Sequence, residues 1–280
     1  MDRSMNTSIR QQAAPGFGHL LRHWRSVRRL SQLALATEAR ISARHLCFLE
    51  TGRGQPSREM VRLLGHALDV PFADQNAMLM AAGYAPLYGE RDLDAPELRH
   101  VRRALEFMLT QQEPFPAIVI DGHWNVRMRN AASRHIFGAF RALYALSDAL
   151  ADNAMHVVCH PKGLRPFIRN WEQFTGSLLQ VLHREALQGT NAAAAELLDE
   201  LLRYPDMPKD WRVPNGVGGE SPLLTMQVRR GDSDLSFFTT LTTFAMPRDV
   251  TLQQLKVEFF FPADAATAEA VRQLAASRPS

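Results

Sequence analysis

The chain has 280 residues, 46% apolar and 22% charged, ordinary values for a globular chain able to bury more than one core. No run of 18 apolar residues exists, which excludes a membrane-spanning helix, and two cysteines, Cys47 and Cys159, are too few for a disulfide framework. Residues 1–70 hold eleven Arg, no Lys and five acids, a net +6, whereas residues 71–280 net −3. A basic head on a mildly acidic body fits a head that meets an anion such as nucleic acid.

Residues 1–16 are polar, lack the apolar core of a signal peptide and read as a disordered tail; with so few cysteines, a cytoplasmic location is expected. Residues 17–82 are helical in short pieces. Leu20, Leu21, Trp24 and Val27 recur at helical spacing. Ser31 and Ser42 are placed to cap the next two helices, SQLALATEA and SARHLCFLE, and Gly52 suits the stop of the second. Pro56-Ser57 and Pro71 open two more, which predicts an all-α five-helix bundle. Residues 83–113 read as a linker, rich in Gly, Pro and acids, and a connecting helix. PAIVID and HWNVRMR then read as strands about an Asp121-Gly122 hairpin turn. Residues 131–204 return to helix. Three strand-like runs follow, LLTMQVRR, LSFFTTLTTFAM and KVEFFFPAD, the first two joined by Gly231-Asp232-Ser233-Asp234. Two strands, a helical insert and three strands predict an α+β domain over 114–265, with a five-stranded antiparallel sheet and helices on one side. Residues 266–280 read as a C-terminal tail.

The segment LSQLALATEARISARHLCFLETGRGQPS has the spacing of a helix-turn-helix. Leu33, Leu35 and Ala36 stand on its first helix, Ile41 in the turn, and Leu46 and Leu49 point inward from the second. It resembles the helix-turn-helix of phage repressors and the xenobiotic-response-element family at Ser31, Gln32, Leu35, Ala36, Ser42, Leu46, Leu49, Glu50 and Gly52. Arg40 departs from the glycine usual before the turn, so a positive φ there would be strained. The resemblance implies that Gln32 bonds a phosphate and that Ser42, Ala43, Arg44 and His45 meet base edges. Arg44 is the strongest reader, able to grip guanine O6 and N7 together. Ala43 suits a thymine methyl. Phe48 does the same or lies on the helix flank, and Arg53 suits a phosphate. Arg25 and Glu50 are expected to form a structural ion pair between helices. One such helix reads only a few base pairs, so a homodimer on an inverted-repeat operator in double-stranded DNA is expected.

Longer strings extend the likeness: LMAAGYAPLY, LRHVRRALEFMLTQQEPFPAIVIDGHWNVRMRN, HPKGLRPFIRNW and LSFFTTLTTFAMPRDVTLQQLKVEFFFPAD. From about residue 17 to 265 the chain resembles the MmyB-like transcription regulators. That resemblance implies a bacterial one-component regulator with a PAS-like ligand-binding domain; the sequence offers no nucleophile–base pair or metal set, so no cofactor and no catalytic residues are expected. A small apolar, fatty-acid-like ligand is expected in a pocket walled by strand Phe residues. The candidate ligand set is Asn130, Arg165, Asn170, Trp171, Phe238, Thr240 and Phe244. Several have a structural alternative: the Phe side chains fill a core, Arg165 pairs with an acid, and Asn130 caps a helix. The competing reading is an enzyme whose C-terminal domain turns over its ligand. His156, Cys159 and His160 lack a zinc spacing and read as a strand before a His-Pro turn. Gly216-Val217-Gly218-Gly219 lacks the spacing of a dinucleotide fingerprint, and no G-x-S-x-G occurs.

Overall fold

The computed structural model describes residues 15–141, 145–187, 192–213, 223–231 and 233–276. Nearly all of the expected N-terminal tail and the Gly216–Gly219 run lie outside them. The chain divides into two compact units, one ending at Tyr88 and one beginning at Gly89.

The first unit holds α1 (Phe17–Val27), α2 (Gln32–Glu38), α3 (Ala43–Glu50), α4 (Arg58–Ala67) and α5 (Phe72–Ala81). Each of three helices starts at a serine whose Oγ accepts an otherwise unbonded backbone N–H. Ser31 takes that of Ala34 at 3.0 Å, Ser42 that of His45 at 3.1 Å and Ser57 that of Met60 at 3.2 Å. Gly52 ends α3 at φ +71°. Leu21, Leu35, Leu46, Leu64 and Met78 are fully buried, each such side chain stabilising by about 1.5–3 kcal/mol. Leu33 does not join them and stays 69% exposed. α1 crosses α3 so closely that a Cβ at Gly18 would lie 2.6 Å from the Leu49 and Glu50 carbonyl oxygens. Residues 83–88, read from sequence as linker, finish this unit. The Tyr84 hydroxyl donates to the Pro56 carbonyl at 3.0 Å, and the Tyr88 ring stacks on Phe72 at 4.0 Å.

The second unit runs α6 (Arg99–Gln111), β1 (Ala117–Ile120), β2 (Val126–Arg129), α7 (Ala131–Arg141), α8 (Asp148–Ala151), α9 (Ala154–Cys159), α10 (Trp171–Leu187) and α11 (Ala192–Leu201). It closes with β3 (Met226–Arg230), β4 (Ser233–Thr243), α12 (Val250–Gln254), β5 (Lys256–Pro262) and α13 (Ala265–Ala276). The strands form the expected five-stranded antiparallel sheet, in the order β2-β1-β5-β4-β3. Alternation gives the sheet two faces. Ile118, Ile120, Phe237 and Phe260 pack on one side with the helical insert. Ala117, Val119 and Val257 pack on the other with Leu105 and Leu109 of α6. Helices therefore cover both faces rather than one, and α6 belongs to this unit. Residues 265–276 are likewise no tail: Val271 is fully buried, and Thr267 Oγ1 accepts the Ser236 N–H at 3.0 Å.

Two turns differ from expectation. The connection from β1 to β2 runs from 121 to 125, with Asp121 Oδ1 accepting the His123 and Asn125 N–H groups and Trp124 at φ +64°. In the β3–β4 hairpin Arg230 pairs directly with Ser233 beside Gly231 at φ +58°. Asp232 lies outside the described residues. The His156–Cys159 run is helix, not strand, capped by Asn153, whose Oδ1 accepts the Met155 and His156 N–H groups.

Candidate nucleic-acid interface and ligand cavity

α3 presents its N-terminal turn outward. Ser42 and Arg44 are exposed, while Ala43, His45 and Phe48 are half-buried. The Arg44 guanidinium lies 5.4 Å from the Phe48 ring centre, one helical turn on. Phe48 therefore supports Arg44 from the helix surface, a pairing implicit in the i, i+4 spacing. Arg53 is exposed just past the helix stop. Arg40 takes φ +53°, the strained conformation that a glycine would adopt freely.

A buried charge network fixes the back of α3. The Glu50 side chain is fully buried and takes two bonds from Arg25, Nε to Oε1 at 2.5 Å and Nη2 to Oε2 at 3.0 Å. Arg25 Nη1 also donates to the Leu30 carbonyl at 2.8 Å. Burial pushes the Glu50 carboxyl up, but the bonds from Arg25 and Gln32 outweigh it and hold the group below the ordinary carboxylate value. Gln32 is drawn into this network, its Nε2 donating to Glu50 Oε2 at 2.8 Å. One of the two amide hydrogens expected to be available for a phosphate is thus committed within the protein.

The second unit contains a cavity of about 230 Å³ between the sheet and the insert. Phe137, Met155, Val158, Phe174 and Phe260 supply much of its wall. Val126, Arg129 and Arg134 line both this cavity and a broader outer groove, so they mark where it meets solvent. Arg129 pairs with Asp152 at 3.0 Å, and Arg134 bonds the Arg129 carbonyl. One acid enters the apolar wall: Glu258, on β5, is buried.

None of the seven candidate ligand residues lines this cavity. Asn130 spends its amide on the chain: Oδ1 accepts the Ala117 and Ser133 N–H groups, and Nδ2 donates to the Leu109 and Phe115 carbonyls. Asn170 ties β3, donating to the Thr225 carbonyl and accepting the Gln227 N–H. Arg165 sits 3.8 Å over the Trp171 ring and donates to the Pro205 carbonyl, beside a separate hollow. Phe238 stacks on Phe261 at 5.2 Å, Phe244 packs on the opposite sheet face, and Thr240 is exposed. The residues that line the cavity come mostly from the insert. The one legible signal was a single acid in the apolar strand KVEFFFP.

Near the cavity, burial pushes the Cys159 thiol up to about 12, which makes it a poor nucleophile. His156 Nδ1 lies 2.8 Å from the Tyr204 hydroxyl. Among the described residues no group of three or more His, Cys, Asp or Glu side chains could hold a metal ion, and no helix is long and apolar enough to cross a membrane.

Comparison with known proteins accords with this layout. Residues 101–274 match the family described as the MmyB-like transcription regulator ligand binding domain, and residues 17–78 match a helix-turn-helix domain. No curated protein matches. Among solved structures, an RNA-binding Light-Oxygen-Voltage receptor is similar at 10% identity over 99% of this chain and 70% of that one, with a TM-score of 0.26, too low to argue from.

Proposed function

The chain belongs to the MmyB-like transcription regulators, and from that premise we propose a one-component regulator that reads operator DNA with α3 and takes a small apolar ligand in the cavity of its second unit. The exposed Arg44, propped on Phe48 at the start of a helix clamped through Glu50, carries the DNA half of this reading. Arg44 grips a guanine in the major groove, with Ser42, Ala43 and His45 on neighbouring base edges. Gln32, through its remaining amide hydrogen, and Arg53 bond phosphates and set the register. A homodimer places two such helices about 34 Å apart on an inverted repeat.

The apolar wall supports the ligand half, and the ligand set moves to its lining residues. A ligand regulates only if it binds the two DNA-affinity states differently, and a tenfold effect on operator affinity requires about 1.4 kcal/mol of coupling. Selection of bound duplexes from a random pool, followed by titration of the best site with and without ligand, tests both halves. A single enriched half-site, or a strictly monomeric protein in light scattering, would remove the dimer.

A further inference from the structure

Glu258 is an unusual wall for an apolar cavity. On β5 it pairs with Ile118 of β1 and Leu241 of β4, and Arg129 lies one strand beyond Ile118 on the same face. The row across this face therefore reads Arg129, Ile118, Glu258, Leu241. The charged groups around it have other partners. Lys256, two residues earlier on β5, bonds Glu185 of α10 and lies 4.8 Å over the Trp124 ring. Arg129 pairs with Asp152, and Arg134 of α7 bonds the Arg129 carbonyl. Thr239 of β4 stands on the same face two residues from Leu241, and its hydroxyl favours the Glu258 carboxylate only weakly against burial. A carboxyl so placed holds its proton more tightly than an exposed one unless a cation enters beside it, because a lone buried charge is strongly disfavoured.

We propose that the cavity selects an apolar molecule carrying a basic nitrogen, and that Glu258 is the residue that selects it, pairing as carboxylate with the ligand's ammonium. This rests on the reading of the second unit as a ligand-binding domain. The ammonium and carboxylate neutralise one another where neither would be stable alone, and the proton displaced from Glu258 leaves to solvent. An alcohol of the same body keeps a single neutral hydrogen bond. A carboxylate of the same body meets a like group. Burial already pushes the Glu258 carboxyl up to about 7, against the smaller lowering effects of Thr239 and Lys256, so it binds a proton near neutrality.

The test uses the full chain and three eight-carbon probes: octylamine, octanol and octanoate. Isothermal titration at pH 8 should rank octylamine at least tenfold tighter than octanol, with octanoate weakest. Glu258→Gln should cut octylamine affinity tenfold or more and leave octanol within about twofold. Titration of the unsubstituted protein at pH 6.5, in two buffers of different ionisation enthalpy, should show proton release with octylamine and none with octanol. This second readout holds even if the variant folds poorly. Equal affinity for amine and alcohol without proton release would overturn the proposal. Octanoate binding tightest, and weakened by Arg134→Ala but not by Glu258→Gln, would overturn it in favour of the arginine mouth. Binding of none of the three would count against the ligand-binding reading as well.

Discussion

Replacing Arg25 by Met should be among the most damaging single changes to the first unit. It removes both bonds to a fully buried Glu50, leaving only Gln32 at 2.8 Å and the half-exposed Arg22 at 3.6 Å. Breaking a buried pair from one side costs about 3–5 kcal/mol, because the abandoned charge stays desolvated. Arg22 and Gln32 offset part of this, so about 3 kcal/mol is expected, a large share of a total stability of about 5–15 kcal/mol. Glu50→Leu should cost less, since the 16% exposed Arg25 can turn its charge toward water. The double variant should cost less than the two changes added together. Amide hydrogen exchange reads this locally: Leu46 and Leu49 amides should exchange roughly a hundredfold faster in Arg25→Met, with β5 of the second unit as internal reference. Acidification should mimic the change. Because the folded Glu50 carboxyl lies below its ordinary 4.5, its contribution is complete above that pH and is lost as pH falls through the lowered value. A cost under about 1 kcal/mol, typical of exposed pairs, would refute the idea that a buried network clamps α3.

Other expectations follow from single residues. Gly18→Ala should destabilise the first unit by at least 1 kcal/mol in chemical unfolding, because its Cβ would collide with the Leu49 and Glu50 carbonyls; no loss would mean that α1 and α3 separate freely. Arg40→Gly should leave stability unchanged or raise it by up to about 1 kcal/mol, as relief of φ +53° offsets the added chain entropy; a clear loss would show that the side chain matters. Glu258→Gln should flatten the stability of the second unit between pH 4.5 and 7. There the native protein weakens as pH rises, by up to about 1.4 kcal/mol per unit, since its carboxyl holds the proton more tightly folded than unfolded.

What could be read from the sequence divides by range. Helix starts were legible because a cap is a local device: Ser31, Ser42 and Ser57 each act on an N–H three residues on. The strands were legible from their β-branched and aromatic runs. Which face each strand residue joined was not, because one step of register moves every side chain to the other side. Phe238 and Thr240 were singled out on β4, yet the residues on the cavity face are their neighbours Phe237 and Thr239. Arg165 and Trp171 pair with each other beside a different hollow, a contact that depends on how the turn before α10 folds back. The cavity arises where the insert from α7 to α10 meets the sheet, a long-range packing that no local pattern encodes.

The central claim is that α3 reads DNA sequence through Arg44. The direct test is binding of the full chain to its selected operator and to single-base variants of it, across a salt series. Arg44→Ala should weaken the operator by about 1–3 kcal/mol and abolish the preference at one base pair. Gln32→Ala should weaken all duplexes alike, and affinity should fall steeply with salt. An Arg44→Ala protein that keeps both its affinity and its base preference would contradict the account.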